Sequence, residues 1–162
     1  MKRRSGARVP VSVAATVLLL LSGCGDSGSV NSHAYFSIRP INGQSDPPCK
    51  APALPEVQNG RPVHCYQLGP SQVDAADVVS ATVVPGGTPG TSSVTYDLSP
   101  DGTQQFNALA RSLGVGGQLA TVVDGTVVNA VKLETTDFPG RGIVSGLAPD
   151  AANRLATRLN RH

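Results

Sequence analysis

An Asp-Gly dipeptide between two apolar, β-prone runs is the feature that most narrows the folds open to this chain. The runs are QLATVV (118–123) and TVVNAV (126–131), and only Asp124 and Gly125 separate them. Such a connection favours a tight hairpin, because both turn residues need positive φ, which glycine adopts freely and aspartate tolerates. We therefore expect Asp124 to turn the chain between two strands rather than to act as a catalytic acid.

Patterns around this hairpin predict a domain that mixes strands and helices. VTYDL (94–98) alternates apolar and polar residues, as a half-buried strand does. Ser99 and Pro100 are typical of a helix start, and Gly114 can end that helix. Further strands are predicted at 34–41, 65–70, 77–85 and 142–146, and a second helix at 148–161. Together these elements predict an α+β fold, a two-layer sandwich of one mostly antiparallel sheet with both helices on one face.

The first residues are typical of a secretory signal peptide, with a basic start and a short apolar run centred on 17–21. After that run, Leu21-Ser22-Gly23-Cys24 resembles the bacterial lipobox, whose cysteine becomes the diacylglyceryl-modified first residue of the mature protein. We expect residues 1–23 to be removed, Cys24 to carry lipid and 24–33 to tether a domain at 34–162. The chain would then be anchored on the extracytoplasmic face of the cell membrane. An ordinary signal peptide with a chance cysteine is the alternative.

Removal of residues 1–23 changes the sign of the net charge. The whole chain has 13 Lys and Arg against 11 Asp and Glu, a formal charge of +2. The signal peptide takes four of the basic residues and none of the acidic ones, which leaves 9 − 11 = −2. This balance argues against nucleic acid as a partner.

The two remaining cysteines, Cys49 and Cys65, are predicted to form a disulfide in an oxidising compartment. The segment between them contains three prolines and little apolar periodicity, so we expect an irregular loop that cannot bury itself. Chain entropy gives a bridge across such a loop about 3 kcal/mol of stabilisation. A metal pair that uses His64 is the alternative, and it needs more ligands than its neighbourhood supplies.

The sequence offers little for catalysis, metal binding or cofactor binding. The mature histidines are His33, His64 and His162, none at a convincing strand end, and GxSxG does not occur. The glycine-rich 114–117 segment joins a helix to a strand, the reverse of a phosphate-binding loop. We expect no catalytic residues, no metal and no cofactor, with an envelope enzyme as the least favoured hypothesis.

An ordered set of motifs across 36–159 resembles a known family. The motifs are FSIRP (36–40), CYQLGP (65–70), SPDGTQQFNALA (99–110), LATVVDGTVVNA (119–130) and GRGIVSGLAPDAANRLATRL (140–159). They resemble the head subdomain of the first extracytoplasmic domain of SecD, part of the SecDF protein-export machinery. With a lipid anchor expected in place of that family's membrane spans, the resemblance implies a fold and a polypeptide-binding role rather than an energy-coupled activity.

The resulting hypothesis is a non-enzymatic binding module for secreted polypeptide or Sec translocase components. An added strand would pair with a sheet edge, and the two candidate regions are the 127–133 strand and the 86–93 loop. The candidate partner-binding residues are Thr88, Val127, Asn129, Val131 and Leu133. The alternative is a lipid or small-molecule carrier, which requires an apolar pocket of several hundred cubic ångströms, on the order of 300–1,000 Å³, between sheet and helices.

Overall fold

The computed structural model describes residues 35–58 and 60–161, which fold into nine strands and two α-helices. The strands are β1 Phe36–Ser45, β2 Leu54–Gln58, β3 Arg61–Leu68, β4 Val73–Asp74, β5 Val78–Pro85, β6 Ser92–Leu98, β7 Gln118–Val123, β8 Thr126–Lys132 and β9 Arg141–Leu147. The helices are α1 Pro100–Leu113 and α2 Pro149–Leu159, and a 3-10 turn at Ala75–Asp77 precedes β5. The predicted α+β class is confirmed, whereas the predicted signal peptide, Cys24 and tether lie outside the described residues.

The first sheet closes on itself into a barrel of five strands. β1 pairs with β7 along one edge and with β3 along the other, β3 pairs with β2, and β8 pairs with β7. Closure comes from β2 and β8, which lie parallel and meet at Glu56 and Val127. The short β4 adds to β1 beside the barrel.

The second sheet has three antiparallel strands in the order β5-β6-β9, and α2 packs on β5 and β6. The main core lies where this sheet, the two helices and one wall of the barrel meet. β7 is buried on both faces, because Leu119 joins the main core while Ala120 and Val122 fill the barrel with Tyr66 and Val127. β7 therefore connects the two cores.

The single-sheet sandwich predicted above is wrong, because the strands divide between two sheets. Sequence patterns missed the two-residue β4 and also β2, which lies inside the disulfide loop and was expected to be irregular. Its sequence, LPEVQ, carries Pro55 and has no clear alternation. β2 forms a hairpin with β3 and reaches β8, and these two pairings turn an open sheet into a barrel.

The predicted ends of α1 and the predicted hairpin turn have the expected geometry. Ser99 Oγ accepts a hydrogen bond from the Gly102 N–H at 3.0 Å, and Gly114 follows α1 with φ 72°. The β7–β8 turn places Asp124 at φ 47° and Gly125 at φ 76°. Both turn residues thus have the positive φ that this type of hairpin requires.

Asp124 also ties the turn to the first residue of the described chain and to α2. Its N–H donates to the Tyr35 carbonyl at 2.9 Å, and its Oδ1 accepts from Arg158 Nη1 at 2.6 Å. The guanidinium of Arg158 stacks over the Tyr35 ring, with Cζ 3.7 Å from the ring centroid. One turn residue therefore joins the residue before β1, the barrel hairpin and α2.

The Asp124→Ala variant should lower the free energy of unfolding by about 1–2 kcal/mol, since a residue with a Cβ and no local polar group is strained at positive φ. Urea unfolding followed by circular dichroism measures the change. Asp124→Gly is the matched control: it removes the exposed ion pair but relieves the strain, so it should cost well under about 1 kcal/mol. Equal destabilisation by both variants would contradict backbone strain as the cause of the lower stability of Asp124→Ala.

The predicted disulfide between Cys49 and Cys65 is confirmed, with Cα atoms 5.3 Å apart. Cys65 is fully buried on β3, whereas Cys49 precedes the hairpin. The bridge thus fastens the start of the β2–β3 hairpin to the barrel wall.

Replacement of both cysteines by Ala should lower the free energy of unfolding by about 3 kcal/mol, because the unfolded chain regains the entropy of the closed loop. Urea titrations with and without reductant measure this change. Reductant should weaken the wild type and leave the double variant unaltered. A wild type that is insensitive to reductant, with the bridge shown to be reduced, would contradict the prediction.

Candidate functional site: an apolar cleft between the two sheets

A cleft of about 420 Å³ opens between the barrel and the three-stranded sheet. Its walls come from β1, β7 and β8 on one side and from β6 and β9 on the other, with α1 and the segment before β9 completing them. The lining residues are Ile38, Thr95, Tyr96, Phe106, Leu119, Thr121, Asn129, Val131, Phe138, Arg141, Gly142 and Ile143. The surface is mainly apolar, with a few polar groups at the rim.

The edges of β8 and β9 form the mouth of the cleft. They approach each other where Asn129 Oδ1 accepts a hydrogen bond from the Ser145 N–H at 3.4 Å. Further along, Val131 and Ile143 line the cleft from β8 and β9, and these residues are 48% and 49% exposed. Large aliphatic side chains are thus accessible on both lips.

The outer edge of β8 has no strand partner beyond Val127 among the described residues, because β2 reaches β8 only there. The Leu133 N–H donates to the Gly117 carbonyl at 2.8 Å, and Lys132 lies opposite Gln118. Since backbone groups alternate between the two edges of a strand, Ala130 and Lys132 direct theirs away from β7. This stretch of β8 is a free edge at the mouth of the cleft.

Phe138 closes one end of the cleft, and a buried amide holds it in place. The rings of Phe106 and Phe138 lie 4.4 Å apart, centroid to centroid. Asn107 Nδ2 donates to the Phe138 carbonyl at 3.1 Å, and Asn107 Oδ1 accepts from the Phe138 N–H at 2.8 Å. The Asn107 side chain therefore replaces a strand partner for this segment.

A charged pair at the rim fixes Arg141, one of the lining residues. Arg141 Nε donates to Asp97 Oδ1 at 2.7 Å, and Ser80 Oγ donates to Asp97 Oδ2 at 2.9 Å. The hydrogen bond from Arg141 lowers the pKa of Asp97, and the same bond raises the pKa of Arg141. Both side chains are well exposed, so the pair orients Arg141 and adds little to stability.

Tyr96 forms part of the cleft wall and packs closely against the backbone of β9. Its ring meets Phe36 edge-on at 5.3 Å between centroids. A Cβ on Gly142 would overlap the Tyr96 ring and hydroxyl, so only glycine fits opposite it. Burial raises the pKa of Tyr96 to about 12 from the ordinary value of 10.0.

The candidate partner-binding residues do not lie on one surface. Asn129 and Val131 line the cleft, whereas Thr88 is exposed in the loop between β5 and β6. Val127 is only 1% exposed and belongs to the barrel core, and Leu133 is half-buried against the main core. Barrel closure makes Val127 inaccessible to a partner, whereas core packing covers Leu133 only in part.

Most of the cleft could not be predicted from the sequence, because its lining residues come from segments far apart in the chain. Ile143 reads as an ordinary strand residue, and Phe138 lies in a stretch that patterns assign to a turn. Asn107 carried a usable signal: it is a polar residue that follows Phe106 on the buried side of the predicted helix. A buried amide in such a place needs hydrogen-bond partners outside its own helix.

Within residues 35–58 and 60–161, no three His, Cys, Asp or Glu side chains are grouped as a metal site would require. The helices in this part of the chain are also too short or too polar to cross a membrane. Apolar clefts with few polar groups and free strand edges are two features through which protein domains can bind ligands.

This chain belongs to the family of SecDF P1 head subdomains, because the model of that family matches residues 53–161. The protein translocase subunit SecD of Elusimicrobium minutum (strain Pei191) is 34% identical to it over 88 residues. That match covers 54% of this chain and 18% of the relative, so the chain spans less than a fifth of the relative's length.

Solved structures of SecDF have the same fold. SecDF in a super-membrane-facing form matches with a TM-score of 0.57 at 20% identity, over 77% of this chain and 18% of that chain. A second structure, of a SecDF described as a membrane component that enhances protein export, gives 0.57 at 21% identity over 77% of this chain and 61% of that chain. At these identities the likeness shows the fold alone.

Tyr96 should make the protein less stable in alkali. Its pKa is about 12 in the folded protein and 10.0 ordinarily, so the unfolded chain loses the proton first. The free energy of unfolding is therefore unaffected below pH 10.0 and falls as pH rises towards 12. At about pH 11.5 the loss from this residue is about 2 kcal/mol.

Urea unfolding of the wild type and the Tyr96→Phe variant at about pH 9 and about pH 11.5 tests this prediction. The variant should lose less stability over that interval, because phenylalanine has no hydroxyl to ionise. The pKa of Tyr66 is also raised to about 12, so Tyr66→Phe should lose less stability over the same interval and measures the separate contribution of that residue. The same pH dependence in the wild type and Tyr96→Phe would contradict the prediction.

Proposed function

We propose that this chain is a non-enzymatic, membrane-anchored extracytoplasmic lipoprotein that binds extended polypeptide in protein export. The observation that carries the proposal is the free edge of β8, which forms one lip of the apolar cleft. A bound segment would add a strand beside β8 and place alternate side chains in the cleft.

Strand addition suits a binding module that accepts many sequences. The N–H and C=O groups of Ala130 and Lys132 face outward, and they would bond to the backbone of a ligand whatever its side chains. Val131 and Ile143 offer aliphatic contacts on either side of the mouth. The backbone would supply much of the affinity, and the cleft would favour segments with apolar residues at every second position.

The membrane location depends on Cys24, which would carry the lipid and hold the domain on the extracytoplasmic face of the cell membrane. Family membership and the export role named for one related SecDF support secreted polypeptides or Sec translocase components as partners. No cofactor takes part in this binding role.

Photo-crosslinking in cells tests the proposal directly. A photoreactive residue at Val131 should capture secreted chains or Sec subunits, since this side chain is 48% exposed and lines the cleft. The matched control is Val79, which is 63% exposed on β5 and does not line the cleft. Equal capture at both positions, or none at Val131, would contradict a polypeptide-binding cleft.

The Ala130→Pro variant separates strand addition from simple apolar contact. Proline removes an N–H that points away from β7, so the β7–β8 pairing should persist while an added strand loses a hydrogen bond. Capture at Val131 should fall several-fold. Ala130→Val keeps the N–H and is the control; equal capture by the two variants would exclude pairing with this edge.

The volume of the cleft supports a lipid or small-molecule ligand as the second candidate. At about 420 Å³ and mainly apolar, it lies within the range of known ligand pockets. Native mass spectra of the purified chain should then show a bound lipid, and Val131→Trp should displace it by filling the mouth. Crosslinking to polypeptide without any co-purifying lipid would reject this candidate.

A further inference from the structure

Helix α2 carries a row of arginines on the face opposite its buried side. Arg154 and Arg158, four residues apart, lie one turn apart on α2, and Arg161 follows two residues after the helix ends at Leu159. They surround a shallow depression of about 270 Å³ together with Asn153 and Thr157. We name Arg154, Arg158 and Arg161 the arginine face.

Two of these arginines are free to bind a ligand. Arg158 is already engaged by Asp124 and by the Tyr35 ring. Arg154 and Arg161 have no carboxylate within salt-bridge distance among the described residues. Asp150 lies one turn before Arg154, at the helix start, where the helix dipole stabilises its negative charge. The end of α2, together with Arg161 just after it, is therefore a cationic surface.

The arginine face lies where the domain joins the segment that leads to the proposed anchor. Tyr35, under the Arg158 guanidinium, is 11 residues after Cys24. Since a chain spans at most about 3.6 Å per residue, Tyr35 lies within about 40 Å of Cys24 in any conformation. If Cys24 is acylated, the arginine face is held close to a bilayer surface.

The positive charge of the arginine face indicates that its partner is an anionic surface. The residues after 23 carry a net charge of −2, yet three of their nine basic residues are on the arginine face. Guanidinium groups bind phosphodiester oxygens through paired hydrogen bonds, and their aliphatic stems tolerate an apolar surround. A bilayer rich in anionic glycerophospholipid therefore complements this face.

We propose that the arginine face docks the head domain onto anionic phospholipid headgroups, so that the domain rests on the membrane in one orientation. This inference rests on the proposed acylation of Cys24, which brings the face to the bilayer. Docking on α2 leaves the cleft, which contains no α2 residue, open to a ligand.

Fluorescence quenching in proteoliposomes tests the docking with the acylated full chain. Thr157→Cys supplies a single free thiol for a fluorophore, because Cys24 is then acylated and Cys49 and Cys65 are bridged. Lipids with a nitroxide on the headgroup should quench this dye strongly in vesicles that contain phosphatidylglycerol and weakly in neutral phosphatidylcholine vesicles. About 0.5 M NaCl should abolish the difference, since salt screens surface charge.

The decisive variant is Arg154→Gln with Arg161→Gln, which keeps Arg158 and its structural contacts. Each basic residue at an anionic surface contributes about fivefold to binding, so the ratio of docked to undocked heads should fall about 25-fold. Arg154→Lys with Arg161→Lys retains the charges and should keep most of the quenching. The proposal would be overturned if quenching did not depend on vesicle charge, or if the Gln variant were quenched as strongly as the wild type.

Two further outcomes separate this proposal from the anchor and from a protein partner. Flotation of the wild-type chain with neutral vesicles reports acylation alone, so a chain that does not float would reject the anchor. In that case, flotation with anionic vesicles that depends on vesicle charge would still test the arginine face. The arginine face could instead bind an acidic protein. Membrane docking would be overturned in favour of that protein if the Gln variant lost crosslinks to it in cells and if quenching of the wild type did not depend on vesicle charge.

Discussion

The structure depends on the closure of the barrel by β2 and β8. Their single pairing, Glu56 with Val127, turns a row of strands into a closed ring and buries Val127. Because β2 ends at Gln58, the rest of β8 continues without a partner in the described chain. The same contact thus completes the barrel core and leaves a free strand edge, since a short strand can cover only part of a longer one.

The cleft exists because the two sheets meet at one end and are held apart at the other. Asn129 and Ser145 join β8 to β9, whereas the Phe106–Phe138 pair occupies the space further inside. The Asn107 amide fixes the backbone of Phe138, and the lack of a side chain at Gly142 lets the Tyr96 ring lie against β9. A domain built in this way presents an apolar surface to solvent without exposing its core.

Elements with strong local signals were predicted well. The Asp124-Gly125 turn, the Ser99 cap and the alternation in VTYDL each depend on neighbours a few residues apart, and β7 begins and ends where its sequence pattern predicts. The disulfide was predictable because the expected signal peptide implies an oxidising compartment, in which the two cysteines other than Cys24 would pair. β2 was missed because a proline-containing strand of five residues has too short a pattern, and its partners on β3 and β8 decide its conformation.

The sequence by itself determined the α+β class, the hairpin, the capped helix, the bridge and the family, since these follow from local backbone preference or from an ordered set of motifs. Only the tertiary structure decided that the strands form two sheets, that Val127 is buried, and that Asn129 and Val131 face a cleft. Burial and cleft geometry come from contacts between segments far apart in the chain, and such contacts leave no periodic pattern in the residues that make them. The arginine face depends on both sequence and tertiary structure. The spacing of its arginines can be read from the sequence, whereas folding places Arg158 beside Tyr35.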